Sequence, residues 1–434
     1  MTDISVFQRR RRALAEHMAG GIAIVPTAPE RTRNRDAHYP YRFDSYFYYL
    51  SGFREPDAVV VIIAGEEPRS ILFCREKDPD KEIWDGIRYG PEAARAAFGF
   101  DDACPVSQLD TELPRLMADR GAVYCHLGAD EAWDARVLGW VNTVRGQVRS
   151  GVNAPVEFRD VHSLLDEMRL VKDASELDLM RRAARISAAA HRRAMRAARP
   201  GCAEYELEAE LLHEFRRQGA QAPAYTPIVA GGDHACVLHY VENSARLRDG
   251  DLVLIDAGCE LDGYASDITR TFPVNGKFSA AQREVYELVL AAQGAALAAV
   301  KPGNPWIAPH EAAVKVLAEG LIDLRLLRGT LEEALEKETY RAFYMHRTGH
   351  WLGLDVHDAG KYRNGAEWRP LVPGMVLTVE PGCYVRRADG IPERYAGIGV
   401  RIEDDVQVTA SGCEVLTTEA PKTIADIEQC MKHG

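Results

Sequence analysis

Residues 252–274 read LVLIDAGCELDGYASDITRTFPV. The apolar run Leu252–Asp256 ends on a carboxylate. A turn-rich connection follows, and Ile268–Val274 is strand-like again. Two strands joined in this way set Asp256 and Asp267 facing each other across a hairpin. An ionised carboxylate at the end of a buried apolar strand is costly, and a cation removes that cost. Either aspartate alone fits an ordinary surface turn, because acidic turn residues are common.

A second strand pair repeats the pattern downstream. Met375–Val385 (MVLTVEPGCYV) carries Glu380, and Gly397–Val408 (GIGVRIEDDVQV) carries Glu403. The loop between them is rich in glycine, proline and charge, so the two strands can bring both glutamates together. Alternation places Arg401 on the face of Glu403, and Thr378 on the face of Glu380. An arginine beside a ligating carboxylate would orient it from behind.

Helical patterns precede each strand pair. Asp173–Ala198 starts with a capping aspartate or serine and runs on alanine-rich periodicity to Pro200-Gly201. Tyr205–Gln218 follows, then Ser279–Val300, Pro309–Leu327 and Leu331–Tyr344. Helices, two strands, helices, two strands describe a duplicated unit of roughly 100 residues, giving an antiparallel sheet with helices on one face. Residues 171–434 therefore read as an α+β domain.

The first 170 residues have a different character. A helix over 5–19 is followed by strands at Gly21–Val25, Ala58–Ile63, Ser70–Cys74 and Ala122–Leu127, with a helix over Ala129–Val148. Strands alternating with helices imply an α/β domain with a mainly parallel or mixed sheet.

The composition narrows the function. The chain has 434 residues, and 53 Lys+Arg against 65 Asp+Glu give a net charge of −12, which argues against a nucleic-acid binder. The helix RRAARISAAAHRRAMRAAR (181–199) carries seven arginines, but their helical spacing among alanines suits a solvated or subunit-facing surface. Apolar runs such as Ala58–Ala64 fall far below the ~20 residues of a membrane span. The N-terminus has no apolar core behind its basic cluster, so it reads as an amphipathic helix and not a signal peptide. Nine scattered cysteines without a CxxC pair fit reduced thiols and a cytoplasmic location.

His350 lies in HRTGHWLGLDVHDAG (346–360) with His346 and His357. His346 and His350 have the spacing of a helical zinc pair, but the flanking glycines argue against a helix, leaving His350 as a single ligand. Four carboxylates and one imidazole then form a hard, oxygen-rich set. Their four negative charges balance two divalent cations, with Mn²⁺, Co²⁺ or Zn²⁺ as candidates. A calcium loop is excluded, because no DxDxDG run with a glutamate at position 12 exists.

At this point the chain resembles the pita-bread metallopeptidases, and among them the bacterial aminopeptidase P group. The resemblance rests on the order Asp, Asp, His, Glu, Glu and on the phrases HWLGLDVHDAG, GMVLTVEPG, GIGVRIEDDV and, near the N-terminus, RNRDAHYPYRFDSYFYYLSGF. It implies an α/β N-terminal domain and a pita-bread catalytic domain holding two metal ions, most commonly Mn²⁺, on Asp256, Asp267, His350, Glu380 and Glu403. It assigns His239 and His357 to the substrate side, places Arg401 beside the last ligand, and makes Glu380 a proton shuttle as well as a ligand. Tyr384 and Trp84 are implied substrate contacts. Asp36 matches a residue that reaches a neighbouring subunit in tetrameric relatives, and Arg149 matches a further N-terminal contact. The implied activity is release of the N-terminal residue from peptides with proline second, by a homo-oligomer. Prolidase, acting on Xaa-Pro dipeptides, uses the same ligands and is the alternative. Creatinase shares the fold without this metal set, and non-catalytic pita-bread binders have typically lost ligands. The stretch HRTGHWLG departs from the HGTSHWLG frequent in bacterial relatives. It puts Arg347 and Gly349 beside His350 and changes the entrance. The loop KYRNGAEWRP (361–370) differs in length from some relatives.

Overall fold

The computed structural model describes residues 3–432. The chain divides into two compact units, Met1–Met168 and Arg169–Gly434.

The N-terminal unit is built on a six-stranded mixed sheet in the order Asp102–Pro105, Arg69–Cys74, Val59–Ile63, Ile22–Pro26, Ala122–Cys125, Glu157–Asp160. Val59–Ile63 is antiparallel to both its neighbours, and the other three pairings are parallel. Val59–Ile63 is buried along its whole length, which explains its unbroken β-branched run. The helices Leu109–Met117 and Glu131–Arg145 cover one face, with Leu113, Met117, Val137 and Val141 packed on Ile24, Val61 and Val123.

In the C-terminal unit the strands form several small sheets and not the single antiparallel sheet expected. Ile228–Gly231, Leu252–Asp256 and Thr269–Pro273 form one antiparallel sheet. Val376–Val379 pairs with Asp404–Val408, and Gly382–Val385 with Ile398–Arg401. The helices Ala174–Ala197, Glu204–Arg217, Ala280–Ala299 and Ala308–Asp323 accompany them. Local chemistry sets two of the starts. Asp173 accepts from the backbone of Ser175 and Glu176 while Glu176 accepts from Asp173, and Ser279 and Gln282 form the same reciprocal cap. Phe215, Val229, Ile255, Phe272, Tyr286 and Val400 belong to one continuous core.

Three expected elements are interrupted. The helix expected over 331–344 ends at Glu336, and Glu338 turns the chain at φ 49° into a short 3₁₀ segment, Thr339–Ala342. That turn lets Tyr340, Phe343 and Tyr344 all reach the core. The strands expected over 375–385 and 397–408 each break, at Glu380-Pro381 and at Ile402-Glu403. Pro381 has no N–H to give a ladder. The two breaks lie opposite each other, between the pairs Val379↔Asp404 and Gly382↔Arg401.

Candidate metal centre

The break just described has a chemical consequence. Where the ladder opens, Glu380 and Glu403 leave the plane of the sheet, and Thr269 Oγ1 donates to Glu403 Oε2 at 2.6 Å. Thr269 is the register partner of Asp256 across the first hairpin. Asp267 therefore precedes its strand by two residues, and its backbone N–H donates to Asp405 at 3.1 Å. Gly258 makes this approach possible, because a Cβ there would stand 1.7 Å from the carbonyl of Ser266.

His350 completes the group. Its backbone N–H donates to Thr378 Oγ1 at 3.1 Å, and its Nδ1 faces the carbonyl of Trp351 at 2.9 Å. With Nδ1 donating there, Nε2 points at Asp267 Oδ2, 3.4 Å away, and at Glu380 Oε1, 3.7 Å away. One ligand atom from each of Asp267, His350 and Glu403 lies within 4.8 Å of the others. Asp256 joins through Tyr225, whose hydroxyl lies 2.5 Å from Asp256 and also against Asp267. Arg401 Nη2 donates to Asp256 Oδ2 at 2.5 Å.

The electrostatics describe a site short of positive charge. Burial, together with the charges of Asp267, Glu380 and Asp256, pushes the Glu403 carboxyl well above its ordinary range. Burial likewise pushes Glu380 to about 7, against the pull of His350 and Arg401. Burial opposes protonation of His350, but its bond to Asp267 and the charge of Glu380 outweigh that and hold it near 9. An imidazole lone pair facing two carboxylates, and one hydroxyl proton shared by two aspartates, both require a cation or extra protons. Four carboxylates and one imidazole are a hard donor set, so the residues present fit a divalent metal.

These five residues sit on the wall of a cavity of about 460 Å³, with Tyr225, His239, His346, Arg347, His357 and Arg401. His239 and His357 are exposed on it, and the His357 ring stands edge-on to His350 at 4.4 Å between centroids. Tyr384 is placed differently from the expected substrate contact. It is fully buried, and its hydroxyl is engaged by His346 Nε2 at 2.8 Å and Arg401 Nη1 at 3.2 Å. It stands behind those two side chains and not on the cavity wall. Arg401 shares Thr269 with Glu403 and forms its ion pair with Asp256.

Trp84, Asp36 and Arg149 belong to the N-terminal unit, whereas every residue lining the cavity belongs to the C-terminal one. Trp84 is 86% exposed on the short helix Pro79–Asp85, Asp36 is exposed on a turn, and Arg149 is exposed on the 3₁₀ segment Val148–Ser150. A second His/Asp group in that unit, His126, Asp160 and His162, stacks its two rings at 3.8 Å and 16°, which keeps their planes from converging on one ion.

Two cavity residues carried no role in the sequence reading. His346 lies 3.7 Å from Glu380 Oε2, and rejecting a helical zinc pair left it without an assignment. Its spacing from His350 was the available signal. Tyr225, in APAYTP, had none, since only the fold carries its hydroxyl to the two aspartates.

The fold and the donor set define a metallopeptidase, and residues 178–410 match the model of metallopeptidase family M24. The chain belongs to that family. Residues 7–124 match the aminopeptidase P N-terminal domain. The chain is 45% identical to the Xaa-Pro aminopeptidase of Escherichia coli (strain K12), over 99% of each chain. It superposes on the aminopeptidase PepP of Pseudomonas aeruginosa with a TM-score of 0.98 at 52% identity, covering 99% of this chain and 98% of that one. An E. coli aminopeptidase P variant solved in complex with substrate superposes with a TM-score of 0.97 at 45% identity, with the same coverage of each chain.

Proposed function

We infer that this chain is a metal-dependent Xaa-Pro aminopeptidase, releasing the N-terminal residue from peptides whose second residue is proline. The observation that carries the reading is one cavity that gathers four carboxylates from two strand pairs and the His350 imidazole from between them, in a chain alike along its length to enzymes of that activity. Asp256, Asp267, His350, Glu380 and Glu403 would hold the metal. Their charge suits two divalent ions, with Mn²⁺ first and Co²⁺ or Zn²⁺ as alternatives. When bound, such ions polarise a carbonyl and acidify water.

The chain's own groups supply the rest. As general base and then general acid, Glu380 would receive the proton of the attacking water and pass it to the departing prolyl nitrogen. His357 and His239, exposed on the cavity wall, hydrogen-bond the scissile carbonyl and orient it. Arg401 fixes Asp256, and Tyr384 fixes Arg401 and His346. A prolyl amide has no N–H and cannot dock as an ordinary strand, so a pocket lined by histidines and by apolar Ile228, Leu238 and Val241 suits it. We propose Trp84, Asp36 and Arg149 as further substrate contacts, with Asp36 reaching a neighbouring subunit in a dimer or tetramer. The nine free thiols suit a cytoplasmic enzyme. Among the described residues no helix is long and apolar enough to cross a membrane.

The test is direct. The purified chain is stripped with EDTA, resupplied with Mn²⁺ and offered Arg-Pro-Pro beside an Xaa-Pro dipeptide. Mn²⁺-dependent release of arginine from the tripeptide is expected. Cleavage of the dipeptide alone would make the chain a prolidase, and cleavage of neither would sink the hydrolase reading.

A further inference from the structure

Arg347 lies on the wall of the cavity that holds the five donors, three residues before His350. The other arginine lining that cavity, Arg401, is committed to Asp256. Among the described residues, the Arg347 guanidinium has no hydrogen-bond or ion-pair partner. Its aromatic neighbour is Trp368, whose ring centroid is 5.9 Å away. Trp368 sits on the small hairpin Arg363–Asn364/Glu367–Trp368, and Arg363, its register partner, lies over the same ring at 4.0 Å. An indole face steadies a guanidinium without consuming its five N–H donors. Arg347 is therefore held at the cavity wall with its donors unspent, and a carboxylate is the group a planar guanidinium fork matches.

We propose that Arg347, steadied by Trp368, forms a carboxylate-binding subsite of the peptide cavity, so that the chain prefers peptides carrying a carboxylate within its reach. That carboxylate is either the C-terminus of a short peptide or an acidic side chain. The inference rests on the peptidase reading above and assigns that site a substrate preference.

The metal-loaded chain, Arg347→Ala and Arg347→Lys are compared on Ala-Pro-Ala as free acid, Ala-Pro-Ala amide and Ala-Pro-Glu amide. An exposed charge-assisted contact gives the wild type a preference of about 10-fold in kcat/KM for a carboxylate-bearing peptide over the plain amide, expressed in KM. In Arg347→Ala that ratio falls to about 1, and Arg347→Lys, which keeps the charge but not the fork, retains part of it. Preference for the free acid alone identifies the C-terminus as the ligand, and preference for the glutamyl amide alone identifies the side chain. A wild type without either preference, or an Arg347→Ala protein slowed equally on all three peptides, would overturn the proposal. Binding of Pro-Ala and Pro-Ala amide to the same proteins is measured by calorimetry. It decides the subsite even if turnover is absent, so failure of the peptidase reading is told apart from failure of this one.

Discussion

Replacing Asp404 with asparagine removes one negative charge from a position sealed from water. The Asp404 carboxylate accepts from Arg270 Nη2 at 2.6 Å, Thr417 Oγ1 at 2.7 Å, Lys422 Nζ at 2.7 Å and Gln293 Nε2 at 2.9 Å. Burial opposes its ionisation, but Arg270 and Lys422 outweigh that and hold it below the ordinary range. Both the Arg270 and the Asp404 side chains are 0% exposed. Asparagine keeps the shape but strands the Arg270 cation and turns an amide N–H₂ toward other donors. Breaking a buried pair in this way costs about 3–5 kcal/mol. At 2–4 °C per kcal/mol for a unit of roughly 250 residues, the midpoint falls by about 10 °C. Lys422 is 28% exposed and can turn to solvent, so most of the loss belongs to Arg270. The assay is urea unfolding of both proteins in EDTA, so that metal binding does not contribute. Arg270 Nη1 also donates to the Glu403 carbonyl at 2.5 Å, so metal affinity falls as well. Thr417→Val, which deletes one neutral donor, costs about 1 kcal/mol. The double variant Asp404→Leu/Arg270→Met is less damaged than Asp404→Asn. An Asp404→Asn loss below about 1 kcal/mol would refute the reasoning, because Asp404 would then be neutral in the fold.

Three other outcomes follow from the same structure. Gly258→Ala drives a Cβ into the Ser266 carbonyl at 1.7 Å and separates the two aspartate-bearing segments, costing about 3 kcal/mol; calorimetric Tm and metal binding both drop, and an unaltered protein would contradict the close approach. His191 is fully buried with Nε2 2.9 Å from the Ala257 carbonyl, and burial lowers its imidazole from 6.5 to about 4. The unfolded chain takes up this proton below 6.5 while the folded one refuses it until about 4. The His191 contribution to stability is therefore complete above pH 6.5 and declines by about 3 kcal/mol as pH falls to 4, and His191→Gln should remove that part of the slope in urea titrations at stepped pH. Chelation lowers the Tm because four crowded carboxylates lose their counter-charge, and divalent metal at 1,000 times its Kd restores about 4 kcal/mol; a Tm indifferent to EDTA and Mn²⁺ would mean the folded state holds no metal there.

Much of this was legible because periodicity and local chemistry agreed. Leu252–Asp256 is a strand to the residue as the pattern implies, and the cap of Asp173 opens the Ala174–Ala197 helix. The five donors stood out because each lies at the edge of an apolar run or beside glycine. What stayed hidden depends on tertiary packing. The breaks at Glu380 and Glu403 are invisible to a period-two pattern that continues on both sides of them. Tyr384 reads as another strand aromatic, and only the packing of Arg401 and His346 against its hydroxyl shows that it stands behind the cavity wall. The arginines of the 361–370 loop had no pattern to place them; the hairpin lays Arg363 on Trp368, while Arg369 is buried with Nη2 3.2 Å from Asn364 Oδ1.

The run Glu403-Asp404-Asp405 shows the limit most sharply. These three consecutive acids lie in one strand-like segment, and their exposures are 2%, 0% and 1%. Alternation sends Asp404 to the face opposite Glu403 and Asp405. Glu403 enters the cavity and takes a hydrogen bond from Thr269. Asp404 turns to the other side, where Arg270 and Lys422 neutralise it. Asp405 accepts the backbone N–H of Asp267, and burial beside that carboxylate raises its own carboxyl well above the ordinary range. One short segment thus offers a ligand, anchors the arginine that holds the ligand's own carbonyl, and fixes the backbone of a second ligand on the opposite hairpin. Net charge cannot reveal this arrangement, because it counts all three acids alike. The fold separates them by what each one faces: Asp404 meets two cations, Asp405 the backbone of Asp267, and Glu403 the cavity. The deficit of positive charge in that cavity, shared by Glu403, Asp256, Asp267 and Glu380 and offset in part by Arg401 and His350, is the physical reason the centre is built for metal.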